Sequence, residues 1–325
     1  MKERMNMKLR TLILAISLVF GVSTSLFAQP AAVKKAADAA FTLTTFKADG
    51  SILATSNGVC ISTDGIAVSP WKPFIGADKA VIVDSKGQKH DVECLLGANE
   101  IYDIAKFQVS GKTAAAPLAT TVSAGDEVWL TPILKSGNAE KANVTSVEKF
   151  MDKYNYAILS SSATDKMNGV PVFDKKGQVI GLYNKSGDSQ SSTDANYAKD
   201  FVLKGLSQND VTLRQSDIRI GLPNTLEEAV VALMLSSEKP ANIHEAIVNE
   251  FITKFPQSND GYYALANIQI AKGEVANADK TMQTAIGKVT AKDEAHYNYA
   301  RLIYRNAFIP EFEEKAKAIG WTLDK

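Results

Sequence analysis

The periodicity of this 325-residue chain changes once, near Pro223, and that change limits the fold more than any single motif. From Phe41 to about Leu206, short apolar runs alternate with turn signals. Val81-Ile82-Val83 runs into Asp84-Ser85-Lys86-Gly87, and Glu127-Val128-Trp129-Leu130 and Val179-Ile180-Gly181-Leu182-Tyr183 are further runs of this kind. Short strands at this spacing predict a β-barrel or sandwich. The polar run Ser186–Asp194 reads as a flexible surface loop. Residues 207–223, ending in Gly221-Leu222-Pro223, read as a linker. Beyond it the apolar residues recur at helical spacing. Hydrophobic residues make up 45% of the chain, enough for packed cores, and the length suggests two domains after a leader.

The N-terminus supplies that leader. Lys2, Arg4, Lys8 and Arg10 precede the apolar stretch Thr11–Val22, and Ser23–Ala28 ends in a small residue suited to cleavage before Gln29. This is the pattern of a secretory signal peptide, so residues 1–28 are expected to direct export to a bacterial periplasm or beyond. The apolar core is too short for a comfortable membrane span, and none is expected after cleavage. With 36 Lys+Arg against 36 Asp+Glu the net charge is zero, which gives no electrostatic reason to expect nucleic acid. Cys60 and Cys94 both fall in expected strands. An exported chain can keep a disulfide, and the sequence leaves open a bridge or two separately buried thiols. His90, His244 and His296 show no metal-ligand spacing and read as solvent-exposed. No metal or cofactor is expected.

One segment carries a more specific signal. Asn168-Gly169-Val170-Pro171-Val172-Phe173-Asp174, followed by Gly177-Gln178-Val179-Ile180-Gly181, resembles the nucleophile segment of trypsin-like serine peptidases, in particular the high-temperature-requirement branch. Asn57–Ser69 matches that family's opening hairpin. Asn99-Glu100-Ile101-Tyr102-Asp103-Ile104-Ala105 matches the segment holding its acid, and Asn196-Tyr197-Ala198 a strand bordering its cleft. The resemblance implies a double β-barrel over residues 41–206, after an N-terminal segment 29–40. It places Asn168 where the family has its serine, Lys72 near its histidine and Asp103 at its acid. Lys166 stands where the family has a flexible glycine beside the nucleophile.

Those exchanges remove the chemistry. In the triad a hydroxyl attacks, an imidazole takes and returns the proton, and a carboxylate fixes the imidazole's tautomer. A carboxamide cannot become the nucleophile, and a protonated ammonium is a poor proton acceptor near neutral pH. The resemblance therefore implies a pseudo-protease with no catalytic residue at Lys72, Asp103 or Asn168. The residues also admit plainer readings. Asn168-Gly169 is a strong hairpin-turn dipeptide, Lys72 can lie on a solvated loop, and Asp103 can be a turn residue. An ion pair between Lys72 and a buried Asp103 is the sharper expectation, because a buried carboxylate needs neutralising. The run Ser160-Ser161-Ser162 lies too early to hold a displaced nucleophile.

In the helical part, Ala232, Ala266 and Ala300 recur every 34 residues, as do Val248, Met282 and Ala316. That period is similar to the tetratricopeptide repeat, and residues 224–325 are expected to form such an array, with a plain helical bundle as the alternative. Together these readings give an exported, non-catalytic binding or scaffolding protein with a peptide or protein ligand. The competing reading is an active trypsin-like peptidase with an unusual nucleophile or base.

Overall fold

The computed structural model describes residues 29–131, 139–307 and 309–322. The expected signal peptide, residues 1–28, lies outside the described residues. After a short helix α1 (Ala31–Ala36), the first barrel contains β1 (Ala40–Phe46), β2 (Ile52–Cys60), β3 (Ile66–Ser69), β4 (Lys79–Asp84), β5 (Lys89–Asn99) and β6 (Ile104–Val109). They close in the order β1-β2-β3-β6-β5-β4. Alternation drives this closure. In β6, Ala105, Phe107 and Val109 fill the barrel while Lys106 and Gln108 between them do not, and Ile104 on the opposite face packs into the cluster between the barrels. The Phe107 ring sits 6.0 Å from Phe41 and 5.2 Å from Phe74, giving an aromatic core beneath the strands.

The second barrel contains β7 (Glu127–Leu130), β8 (Glu140–Phe150), β9 (Tyr154–Ser160), β10 (Pro171–Asp174), β11 (Val179–Ser186) and β12 (Ser189–Thr193). Its closed order is β10-β11-β12-β9-β8-β7, the same arrangement strand for strand as the first. Two six-stranded antiparallel barrels in series fit a chymotrypsin-like double-barrel fold. The stretch Ser186–Asp194 is not the surface loop its polar composition suggested. It turns at Gly187-Asp188 and returns as β12, which pairs with β11 on one side and β9 on the other. Ser191, Ser192, Thr193 and Asp194 are buried as a result. Pairing with β9 as well as β11 encloses Ser191, Ser192 and Thr193 whatever their polarity, while Ser189 at the start of β12 stays exposed.

The barrels meet through an aromatic cluster. Tyr102 from the β5–β6 turn stacks on Phe150 at 4.2 Å, and Tyr197 of helix α2 (Ala195–Lys199) packs against both, as well as Tyr154 and Phe201. Residues 207–223 then run back over the first barrel. Leu213, Ile218 and Ile220 join its core, and the backbone of Arg219 and Gly221 bonds to Leu95. The expected linker is thus docked rather than free.

The helical array contains α3 (Leu226–Ser236), α4 (Ala241–Lys254), α5 (Asn259–Ala271), α6 (Val275–Lys288), α7 (Lys292–Asn306) and α8 (Glu313–Ala318), and the fold as a whole is a double β-barrel followed by this α-helical array. Val248, Met282 and Ala316 are all buried, in keeping with the expected register of the second helices. The first helices differ. Ala232 and Ala266 are buried but Ala300 is exposed, because α3, α5 and α7 begin at Leu226, Asn259 and Lys292, one residue short of the 34-residue period. Tyr299 takes the inward place instead. It donates to buried Asp279, which also accepts Trp321 Nε1 at 2.6 Å and so pins the C-terminal turn.

Candidate functional site

Lys72, Asp103 and Asn168 come together around one pocket of about 270 Å³ at the seam between the barrels. Lys72 lies in the turn after β3, Asp103 in the β5–β6 turn, and Asn168 between β9 and β10, so three loops from two barrels converge there. Ser56, Tyr102, Lys185, Ser186 and Thr193 complete much of the wall.

Asp103 holds the first loop in place. Its Oδ1 accepts the backbone N–H groups of Trp71 at 2.9 Å and Lys72 at 2.8 Å. Its Oδ2 lies 3.5 Å from Lys72 Nζ. The expected ion pair is therefore present, but the Lys72 side chain is 72% exposed, which makes the pair weak. The backbone contacts matter more. The carboxylate anchors the start of the 3₁₀ turn Lys72–Phe74 and compensates donors that have no partner within that turn. Asp103 adopts φ of 46°, a left-handed conformation uncommon for a residue other than glycine. Such local strain persists only where the surroundings over-determine it, and here two hydrogen bonds and the neighbouring Tyr102 stack do so.

Asn168 is engaged at both ends of its amide. Its Oδ1 accepts the N–H of Lys185 at 2.7 Å, and its Nδ2 donates to the carbonyl of Lys185 at 3.4 Å. The β10–β11 ladder reaches this point through Gly169 N–H to Tyr183 O at 2.8 Å and Tyr183 N–H to Val170 O at 2.9 Å. The side chain thus supplies the next rung, doing for Lys185 what a peptide group would do. The backbone of the same loop is also occupied. Met167 N–H donates to Thr164 O, Asn168 N–H to Asp165 O, and Gly169 N–H to Tyr183 O. Stabilising a tetrahedral oxyanion requires N–H groups pointed at the reacting centre, and these three are turned inward. Gly169 itself has φ of 82°, and a Cβ there would fall 2.5 Å from Asn57 O. Asn57 Nδ2 ties the loop to β2 by donating to Asn168 O at 2.9 Å.

The serine run is placed elsewhere. Ser161 Oγ and Ser162 N–H donate to the Glu140 carboxylate at 2.6 Å and 2.5 Å. A carboxylate of this kind orders a loop; it is not the strong base a nucleophilic serine needs. The histidines depart from expectation. His90 is buried, its Nδ1–H donating to Ser110 O at 2.7 Å, with Asp84 3.6 Å from Nε2. His244 is half-buried against Ser236 Oγ at 2.8 Å, and burial holds its pKa below the usual imidazole value. Only His296 is exposed. Cys60 and Cys94 are separate buried thiols, so of the two possibilities the unbridged one is seen. Burial pushes their pKa values up to about 11 and about 12, which keeps both neutral. Among the described residues no group of three or more His, Cys, Asp or Glu is arranged to hold a metal ion.

The sequence missed Lys185, because its contribution is made by backbone atoms that no residue type announces. It also missed the enclosed polar strand behind it. No protein-family model matches this chain, and no curated protein matches it.

Proposed function

We propose that this chain is an exported, non-catalytic, protease-like protein that binds an extended peptide or protein segment, with the helical array, built as tetratricopeptide-like repeats, making the main contact. The observation that carries this reading is the Asn168 amide bound at both ends to Lys185. It stands where the trypsin-like pattern has its nucleophile, and it fills the strand edge on which an extended substrate would pair. The cleft is therefore the stable half of the design and the array the receptive one. Between α3, α5 and α7 runs a groove of about 530 Å³, walled by Val230, Leu233, Met234, Tyr263 and Ile268, with Met234 69% exposed. Helix grooves lined in this way accept apolar side chains of a ligand.

A displayed library of random peptides, panned on the full chain, tests this. The proposal expects enrichment of apolar-anchored sequences and loss of at least about tenfold in affinity on Met234→Glu with Tyr263→Ala, about 1.4 kcal/mol. Enriched peptides that bind this double variant unchanged defeat the assignment to the array. Cleavage of the enriched peptides by the wild-type chain supports the peptidase reading instead.

A further inference from the structure

A pocket larger than the cleft lies elsewhere among the described residues. It measures about 790 Å³ and opens where the first barrel, the segment between the barrels, residues 199–203 and helix α4 meet. This is within the range of about 300–1,000 Å³ usual for small-molecule sites. Its walls mix apolar and polar side chains, with Ile61, Leu96, Leu118, Phe201, Val202 and Leu222 forming the apolar part. Three ammonium groups also line it: Lys106, Lys199 and Lys254.

Two of those ammoniums are held in the same way. Lys106 Nζ donates to the carbonyls of Lys199 at 2.8 Å and Phe201 at 2.9 Å. Lys254 Nζ donates to the carbonyl of Leu222 at 3.0 Å and to Asn224 Oδ1 at 2.8 Å. An ammonium has three donors, so each has two neutral oxygens and one donor left over. The lining has a single carboxylate, Glu250, which faces the Arg219 guanidinium and the Leu222 N–H. Positive charge is thus fixed beside apolar wall, with most of the local negative charge already directed elsewhere. Burial lowers the pKa of both lysines, offset in part by the Asp200 carboxylate near Lys106 and the Glu250 carboxylate near Lys254.

We propose that this junction pocket binds a small amphipathic anion, with its acidic head on Lys106 and Lys254 and its apolar tail along Leu96, Leu118 and Phe201. The head is a carboxylate or a phosphate; either completes the third donor of each ammonium. The site is separate from the cleft and from the groove of the array, and does not depend on the function proposed for them. Because its wall joins the barrels to Asn224, Glu250 and Lys254 at the start of the array, an occupant bridges the two and raises the unfolding temperature.

Calorimetric titration of the full chain decides this, using decanoate and decyl phosphate below their micelle concentrations, with decanol and decyltrimethylammonium as controls. At least one anion saturates a single site and raises the melting temperature, the alcohol binds about tenfold or more weakly, and the cation does not bind. Which anion binds identifies the head group. Lys106→Met with Lys254→Met lowers anion affinity about tenfold or more, Leu118→Trp fills the cavity and abolishes binding, and Lys175→Met on an exposed turn changes nothing. If the double variant does not fold, Lys254→Gln at the pocket rim serves in its place. Equal binding of decanol and the anions, no saturation by either anion, or unchanged anion affinity in folded lysine variants overturns the proposal.

Discussion

The two barrels share one strand order but are filled by different chemistry. The first closes over Phe41, Leu43, Trp71, Phe74 and Phe107, a mainly apolar interior in which Thr45, Ser69 and His90 are the buried polar side chains. The second encloses Asn155, Ser191, Ser192, Thr193 and Asp194 as well as its apolar cluster. Asp194 organises part of that polar interior. It accepts the Asn155 N–H at 3.0 Å and Asn155 Nδ2 at 3.1 Å, and its other oxygen accepts Asn196 N–H and Nδ2, each at 2.9 Å. Topology can therefore be held constant while the source of stability changes from volume filling to hydrogen-bond completion. The barrel with the polar interior is also the one that supplies Asn168 and Lys185 to the cleft. A polar core lets a loop be fixed by directional bonds, and directional bonds are what set the Asn168 amide against one backbone group.

That contrast predicts how each barrel should fail. Phe107→Ala removes a fully buried ring from the first barrel and should lower stability by about 3–5 kcal/mol in urea unfolding. Asp194→Ala leaves four donors of the second barrel without their acceptor and should cost about 2–4 kcal/mol. The isosteric Asp194→Asn sharpens the test. It keeps the volume yet should still cost about 1–2 kcal/mol, since an amide cannot accept from donors on both sides. If it is neutral, the polar core is filler rather than framework.

Thiol chemistry reports on the first barrel separately. With Cys60 and Cys94 pushed up to about 11 and about 12, alkylation of the native chain at pH 8 should be far slower than that of the unfolded chain. It should remain slow in Asp194→Asn if the barrels are independent, and accelerate if one opens the other. The smallest effects belong to the cleft. Asp103→Ala should destabilise by about 1–2 kcal/mol through the freed N–H groups of Trp71 and Lys72, whereas Lys72→Ala should change stability by less than about 0.5 kcal/mol. Equal effects would mean that the ion pair, not the backbone anchoring, holds the loop.

Much of this architecture was legible in the sequence, for reasons that also explain what was not. Ala105, Phe107 and Val109 alternate with Lys106 and Gln108, and the alternation gives the strand and its inward face. Val248 and Met282 keep their period because α4 and α6 begin 34 residues apart, at Ala241 and Val275, and Ala316 is buried in the shorter α8. The gathering of Lys72, Asp103 and Asn168 at one pocket followed from a resemblance spread over several segments. β12 was illegible because Ser189–Thr193 has no apolar face; only closure between β11 and β9 buries Ser191, Ser192 and Thr193. The docking of residues 207–223 was hidden by the Gly and Pro at its end, although Leu213, Ile218 and Ile220 carry the apolar signal. The Asn168–Lys185 contact could not be read at all, since a side chain bonding to backbone 17 residues away leaves no mark on composition.

The most direct test of the proposed non-catalytic cleft is to incubate the purified chain with a fluorophosphonate serine probe and with casein, with and without Asn168→Ser. The account predicts no labelling and no cleavage by the wild-type chain, because its Asn168 amide and the N–H groups of its loop are already bonded. Labelling of the wild-type chain that disappears when a single serine is replaced by alanine would contradict it.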